Sequence, residues 1–132
     1  MYISVLRLFI KITAMSLPSP AADQAYMNVS ALEAGSLRVP LQNIVAGSSP
    51  TDVIRSPSLA FLLRHSKSGH QVVFDLGIRR DILSLPPAVQ RRIQHFDFQP
   101  EVPQDVAESL KAGGISPEQI DTVVISHLHW DQ

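Results

Sequence analysis

Two histidines and an aspartate, His127, His129 and Asp131, stand at alternating positions near the end of the 132-residue sequence. Along an extended backbone, side chains two apart leave on the same side, separated by about 6.6 Å, or two strand rises. A turn of the backbone past the strand brings both imidazoles onto one cation, at a nitrogen–zinc distance of about 2.0 Å. Asp131 keeps the same parity and is placed to ligate that cation or a neighbour, or to orient a histidine from behind. The chemistry implied is hydrolytic: a hydroxide shared by two cations attacks a carbonyl that one of them polarises. On spacing alone, His-x-His can simply finish a strand at the surface. What favours the metal is its delivery by the β-branched run Thr122-Val123-Val124-Ile125, with few other polar groups nearby. Trp130 reads as a lid or packing aromatic.

Composition narrows the metal chemistry. There is no cysteine, so disulfides, thiolate ligands and a cysteine nucleophile are excluded. The site must use imidazole and carboxylate, which suits zinc, iron, manganese or nickel. Apolar residues make up 45% and charged residues 17%, and eleven basic residues against twelve acidic ones leave a formal charge of -1. That balance predicts one folded domain with no nucleic-acid partner, and Arg79-Arg80 and Arg91-Arg92 read as solvated faces. Residues 1–15 are apolar but interrupted by Arg7 and Lys11. The run is shorter than the roughly 20 residues of a membrane span and lacks the positive start of a secretory signal. It reads as a weak targeting sequence, or as an extension ahead of a start at Met15 or Met27. The expected location is cytoplasmic, with no membrane partner. Asn28-Val29-Ser30 fits the glycosylation pattern, which in that setting is coincidental.

The elements that must hold the three ligands are legible as a sequence of strands and helices. Residues 1–27 read as a leader or disordered extension, and 28–132 as the domain. Val29, Ala31 and Glu33 alternate, Gly35-Ser36 suggests a turn, and Leu37-Arg38-Val39 resumes the alternation. Residues 40–52 read as a loop. The apolar run 59–65 and the run 71–77, separated by Ser66-Lys67-Ser68-Gly69-His70, predict a hairpin. Pro86-Pro87 opens a helix with Val89, Ile93 and Phe96 on one face, and Arg91 and Arg92 turned away. A second helix is expected from Pro103, with Val106 and Leu110 inward and a stop at Gly113-Gly114. Ser116-Pro117-Glu118-Gln119 resembles a capped single turn. Residues 121–126 then read as an interior strand buried on both faces. Hairpin, helices and strand in this order predict an α/β sandwich with His127 and His129 at a strand end, where a loop can aim side chains into a crevice.

Val124-Ile125-Ser126-His127-Leu128-His129-Trp130-Asp131 resembles the signature of the metallo-β-lactamase superfamily, His-x-His-x-Asp-His at a strand end. The tryptophan inside it is similar to the lactonase-like branch, and Phe74-Asp75-Leu76-Gly77 resembles the upstream strand that ends in Asp-x-Gly. The resemblance implies the N-terminal part of an αββα sandwich, incomplete here, and a zinc-dependent hydrolase of lactone or ester bonds using one or two zinc ions. It implies that His127 and His129 ligate the first zinc, that Asp131 is the catalytic carboxylate and a ligand to the second, and that Asp75 supports the site from behind. Gln132 departs from the pattern, which has histidine there. The family's remaining ligands come from segments not in this sequence, so the chain is expected to be inactive alone and to aggregate through sheet edges that later elements cover. The alternatives are a non-catalytic remnant of such a gene and a small binding or scaffold domain. His65, His70 and His95 match no ligand and read as surface or turn residues, with His70 the one placed to line the crevice.

Overall fold

The computed structural model describes residues 19–131, so the leader segment up to residue 18, the possible start at Met15 and Gln132 lie outside the described residues. Five strands form one sheet: β1 (Met27–Pro40), β2 (Val53–His65), β3 (Gln71–Phe74), β4 (Gln99–Glu101) and β5 (Thr122–Val124), in the order β4-β1-β2-β3-β5. Two helices, α1 (Pro87–His95) and α2 (Val106–Ala112), fall between β3 and β5. Among the described residues no helix is long and apolar enough to cross a membrane. Tyr26 is joined at both its N–H and its carbonyl to Ser66, and Lys67 pairs with Asp23, so the first described residues are tied to the β2–β3 turn.

The hairpin forms as its composition predicts. β2 and β3 are antiparallel, with Phe61 opposite Phe74 and Leu63 opposite Val72. Gly69 takes φ +74° in the turn, a conformation that costs glycine little. Elsewhere the assembled sheet overrides local signals. Gly35-Ser36 is not a turn but a bulge inside a single 14-residue β1, where Gly35 at φ +88° supplies the left-handed backbone. β2 begins six residues before the apolar run and passes through Pro57. That proline sits opposite Ser36 at the bulge and beyond Phe61, the last residue paired with β3, so its missing N–H costs no bond on that side.

α1 begins at Pro87 as expected and buries Ile93, with Val89 and Phe96 half-buried and both arginines exposed. α2 starts at Val106, three residues later than Pro103 suggests, because a reciprocal cap fixes its first turn. Asp105 Oδ1 accepts from Glu108 N at 2.9 Å, and Glu108 Oε2 accepts from Asp105 N at 3.1 Å. Arg80, read from sequence as a solvated charge, clamps this cap. Its guanidinium donates to both Glu108 carboxylate oxygens and to the carbonyls of Val102 and Pro103. The Arg80 hydrogen bond is the main reason the Glu108 carboxyl is held below its usual range. A depressed folded-state value means that this contribution is complete above the ordinary glutamate pKa of about 4.3 and is lost as pH falls through the lowered one. Acid titration of Glu108→Gln should therefore show a smaller loss of stability below about pH 4.3 than the parent. Equal acid slopes for the two would remove Glu108 from the account.

The final strand corrects the expectation of an interior position. β5 lies parallel to β3 at the edge of the sheet, and Thr122, Val123 and Val124 are all exposed. A β-branched run records that a strand forms; its neighbours decide whether it is covered. The same distinction separates the two faces of the sheet. Ala34, Ala60, Leu62 and Val73 pack with Val106 and Leu110 of α2 into the core, with Leu32, Ile115 and Ile120 against it. By strand alternation and register, Val29, Ala31, Leu59, Phe61, Leu63, Val72, Phe74 and Val124 share the opposite face. None of these is buried, and Val29 and Leu59 are 62% and 57% exposed. So the described residues form one helix-backed sheet with an apolar second face, in place of a closed sandwich.

Candidate metal centre

The ends of β3 and β5 build the site. Past Phe74 the backbone turns through Asp75 at φ +62°, a left-handed conformation that aspartate tolerates better than most residues. Asp75 N donates to Val124 O at 2.8 Å, which ties the two strand ends together. The side chain is only 5% exposed, and it is the one charged group in the core of the described residues. Its carboxylate has two partners on one residue: Ser126 N donates to Oδ1 and Ser126 Oγ to Oδ2, both at 2.7 Å. Two residues on, Gly77 at φ +66° passes so close to Ala34 that a Cβ would overlap it, and Ile78 N donates to Ala34 O at 2.9 Å.

From Ser126 the contacts run outward to the histidines. Ser126 Oγ lies 2.9 Å from His127 Nδ1, and His127 Nε2 lies 3.0 Å from His129 Nδ1. The two rings meet edge to face, centroids 4.5 Å apart and planes at 74°. Both are solvent-exposed. The backbone bends after β5, so the extended parity does not carry through to Asp131. The Asp131 carbonyl instead accepts from Ser58 Oγ at 2.7 Å, tethering the segment to β2. His129 and half-buried Trp130 border two clefts. One, of about 660 Å³, runs along Leu76, Ile78, Leu110 and Val123; the other, of about 510 Å³, runs along Leu37, Val39 and Ile54.

The structure thus brings Asp75, His127 and His129 together through Ser126. Among the described residues, no group of three His, Cys, Asp or Glu side chains converges as a cation would require. His70 does not line this crevice. It immediately precedes β3, at the far end of the β3–β5 pair from Asp75, where its ring lies 3.2 Å from Thr122 Oγ1 and 3.4 Å from an Asp121 carboxylate oxygen. His65 Nδ1 accepts from Ser68 N in the hairpin turn, and His95 packs edge-on against Phe96. Ser58 carries no motif that would single it out, and Ser126, though inside the resembled stretch, stands out there only by preceding the first histidine.

The facing nitrogens can be tested against zinc directly. Two Zn–N bonds of about 2.0–2.1 Å at a tetrahedral angle hold the nitrogens about 3.3 Å apart. The observed 3.0 Å needs only a small opening. The pair fits half of a four-coordinate site, and further donors have to join it.

No protein-family model matches the chain. Over 84 residues it is 30% identical to the gamma-lactamase FDB1 of Fusarium pseudograminearum (strain CS3096), a match covering 61% of this chain and 20% of that protein. Over 60 residues it is 38% identical to the gamma-lactamase MBL2 of Gibberella moniliformis (strain M3125 / FGSC 7600), covering 46% and 25%. Among solved structures it is similar to an N-acyl homoserine lactone hydrolase with N-hexanoyl-L-homoserine bound at its catalytic metal center. That likeness has TM-score 0.59 at 16% identity, over 79% of this chain and 42% of that one. The chain therefore spans about a fifth to a quarter of the length of these curated relatives, and less than half of the lactone hydrolase. Its sheet and helices have the fold of part of that lactone hydrolase.

Proposed function

We propose that this chain is part of a metal-dependent hydrolase of the metallo-β-lactamase superfamily, acting on a cyclic ester or amide. The observation that carries the reading is the facing pair His127 Nε2 and His129 Nδ1, 3.0 Å apart at a strand end beside a buried carboxylate. His127 and His129 would hold the first zinc, and Asp131 would ligate a second and serve as the catalytic carboxylate. Asp75 would support them from behind, as outer carboxylates do for ligating histidines. Residues 28–132 would form the corresponding portion of the domain. When bound, zinc supplies a Lewis acid for the carbonyl under attack. Apolar, exposed Leu76 and Val123 beside His129 and Trp130 would receive the apolar part of a substrate. The ring-opened substrate class is drawn from the relatives, two called gamma-lactamases and one a lactone hydrolase.

A second reading, a domain with this fold that performs no catalysis, is favoured by two observations. No third ligand converges among the described residues, and Gln132 stands where the resembled signature has histidine. Calorimetric zinc titration of the chain separates the two, combined with ring-opening assays on a γ-lactam and an acyl homoserine lactone. Zinc binding is expected. His127→Ala and His129→Ala should each weaken it by more than the roughly 10–100-fold that an outer partner contributes. Turnover excludes the second reading, and no zinc binding overturns the metal site.

A further inference from the structure

We infer that Ser126 is the positioning residue of the histidine pair: its hydroxyl, bonded to buried Asp75, holds His127 with its proton on Nδ1 and its lone pair on Nε2. Counting protons leaves one arrangement. A carboxylate only accepts, so the single hydroxyl hydrogen of Ser126 goes to Asp75 Oδ2 at 2.7 Å. The 2.9 Å contact between Ser126 Oγ and His127 Nδ1 then requires the hydrogen to come from the imidazole. In the neutral ring this leaves Nε2 as the acceptor. It faces His129 Nδ1 at 3.0 Å, so His129 donates. The opposite His127 tautomer would set two lone pairs against each other, or draw the hydroxyl away from Asp75 and break a charge-assisted bond, the stronger kind.

The consequence is an asymmetry within the pair. His127 presents its Nε2 lone pair to an incoming cation without rearrangement. His129 must first carry its proton on Nε2 to free Nδ1, which its exposure to water permits. A purely structural serine would have less to do, because Ser126 N already bonds Asp75 Oδ1 and joins the strand ends. The hydroxyl adds the link to the imidazole.

The zinc arm of the test rests on the metal reading above; the tautomer arm does not. In the ¹⁵N-labelled, metal-free chain, long-range ¹H–¹⁵N correlations should show His127 protonated at Nδ1. Ser126→Ala should lose that preference and bind zinc about 10-fold more weakly, while Ser126→Thr, which keeps the hydroxyl, should retain both properties. Methyl resonances of Val73 and Leu62 report whether each variant keeps its core. Should the alanine variant unfold, the parent's tautomer and the threonine variant decide the matter. A parent His127 protonated at Nε2 overturns the inference, as does an alanine variant that keeps the Nδ1 proton. Failure of zinc to bind the parent would count against the metal reading and leave the tautomer result to judge Ser126.

Discussion

Alanine at Gly77 is expected to remove most of the stability of this fold. Gly77 sits at φ +66°, where an L-residue costs about 1–2 kcal/mol. Its added Cβ would also overlap both the Cβ and the carbonyl oxygen of Ala34, which is 2% exposed and cannot yield toward solvent. Moving Ala34 breaks its bond from Ile78 N, one of the best-buried residues of the chain, and relieving the overlap costs about 1–3 kcal/mol more. With about 1 kcal/mol for the broken hydrogen bond, the sum is about 3–6 kcal/mol and approaches the whole stability of many small domains, which begins near 5 kcal/mol. Gly69→Ala is the control: φ is again positive, but nothing lies within 4 Å of the added Cβ, so the cost should stay near about 1 kcal/mol. Urea denaturation of both variants compares them directly. Similar midpoints would mean that the approach of Gly77 to Ala34 does not matter.

Asp75→Ala should be the second most damaging change, and Asp75→Asn should show why. Alanine removes both bonds to Ser126 and must adopt a left-handed backbone that aspartate and asparagine tolerate better. Loss of charge-assisted hydrogen bonds of about 1.5–3 kcal/mol each, partly replaced by water at the exposed Ser126, predicts a net cost of about 2–4 kcal/mol. Asparagine keeps the backbone preference and one acceptor, so its cost should be about 1–2 kcal/mol. Denaturant melts give the two values, and amide exchange at Ser126 should quicken in both. An alanine variant within about 0.5 kcal/mol of the parent would show that Asp75 does not tie β3 to β5.

These two residues were both visible as Asp-x-Gly before any fold was known, yet their physical roles were not. The sequence of the motif records that a left-handed step follows β3. It does not say that the step lies against Ala34, 43 positions earlier, or that the carboxylate meets Ser126, 51 positions later. The reciprocal cap of α2 is a different case. Asp105 and Glu108 have the required three-residue spacing, but Pro103 offered a competing start, and Arg80 settled the choice from outside the segment.

Periodicity, turn chemistry and spacing were sufficient for the β2–β3 hairpin, the inward faces of α1 and α2, and the pairing of His127 with His129. Each depends on neighbours within a few residues, where backbone geometry alone fixes which side chains meet. Three other features emerged only when distant strands came together: the edge position of β5, the bulge that keeps β1 continuous, and the Asp75–Ser126–His127 connection. Burial and hydrogen-bond partnership are properties of two segments at once, and a linear pattern encodes only one of them at a time. The β-branched run of β5 looks the same in a covered strand and an open one; the neighbour on its outer side makes the difference.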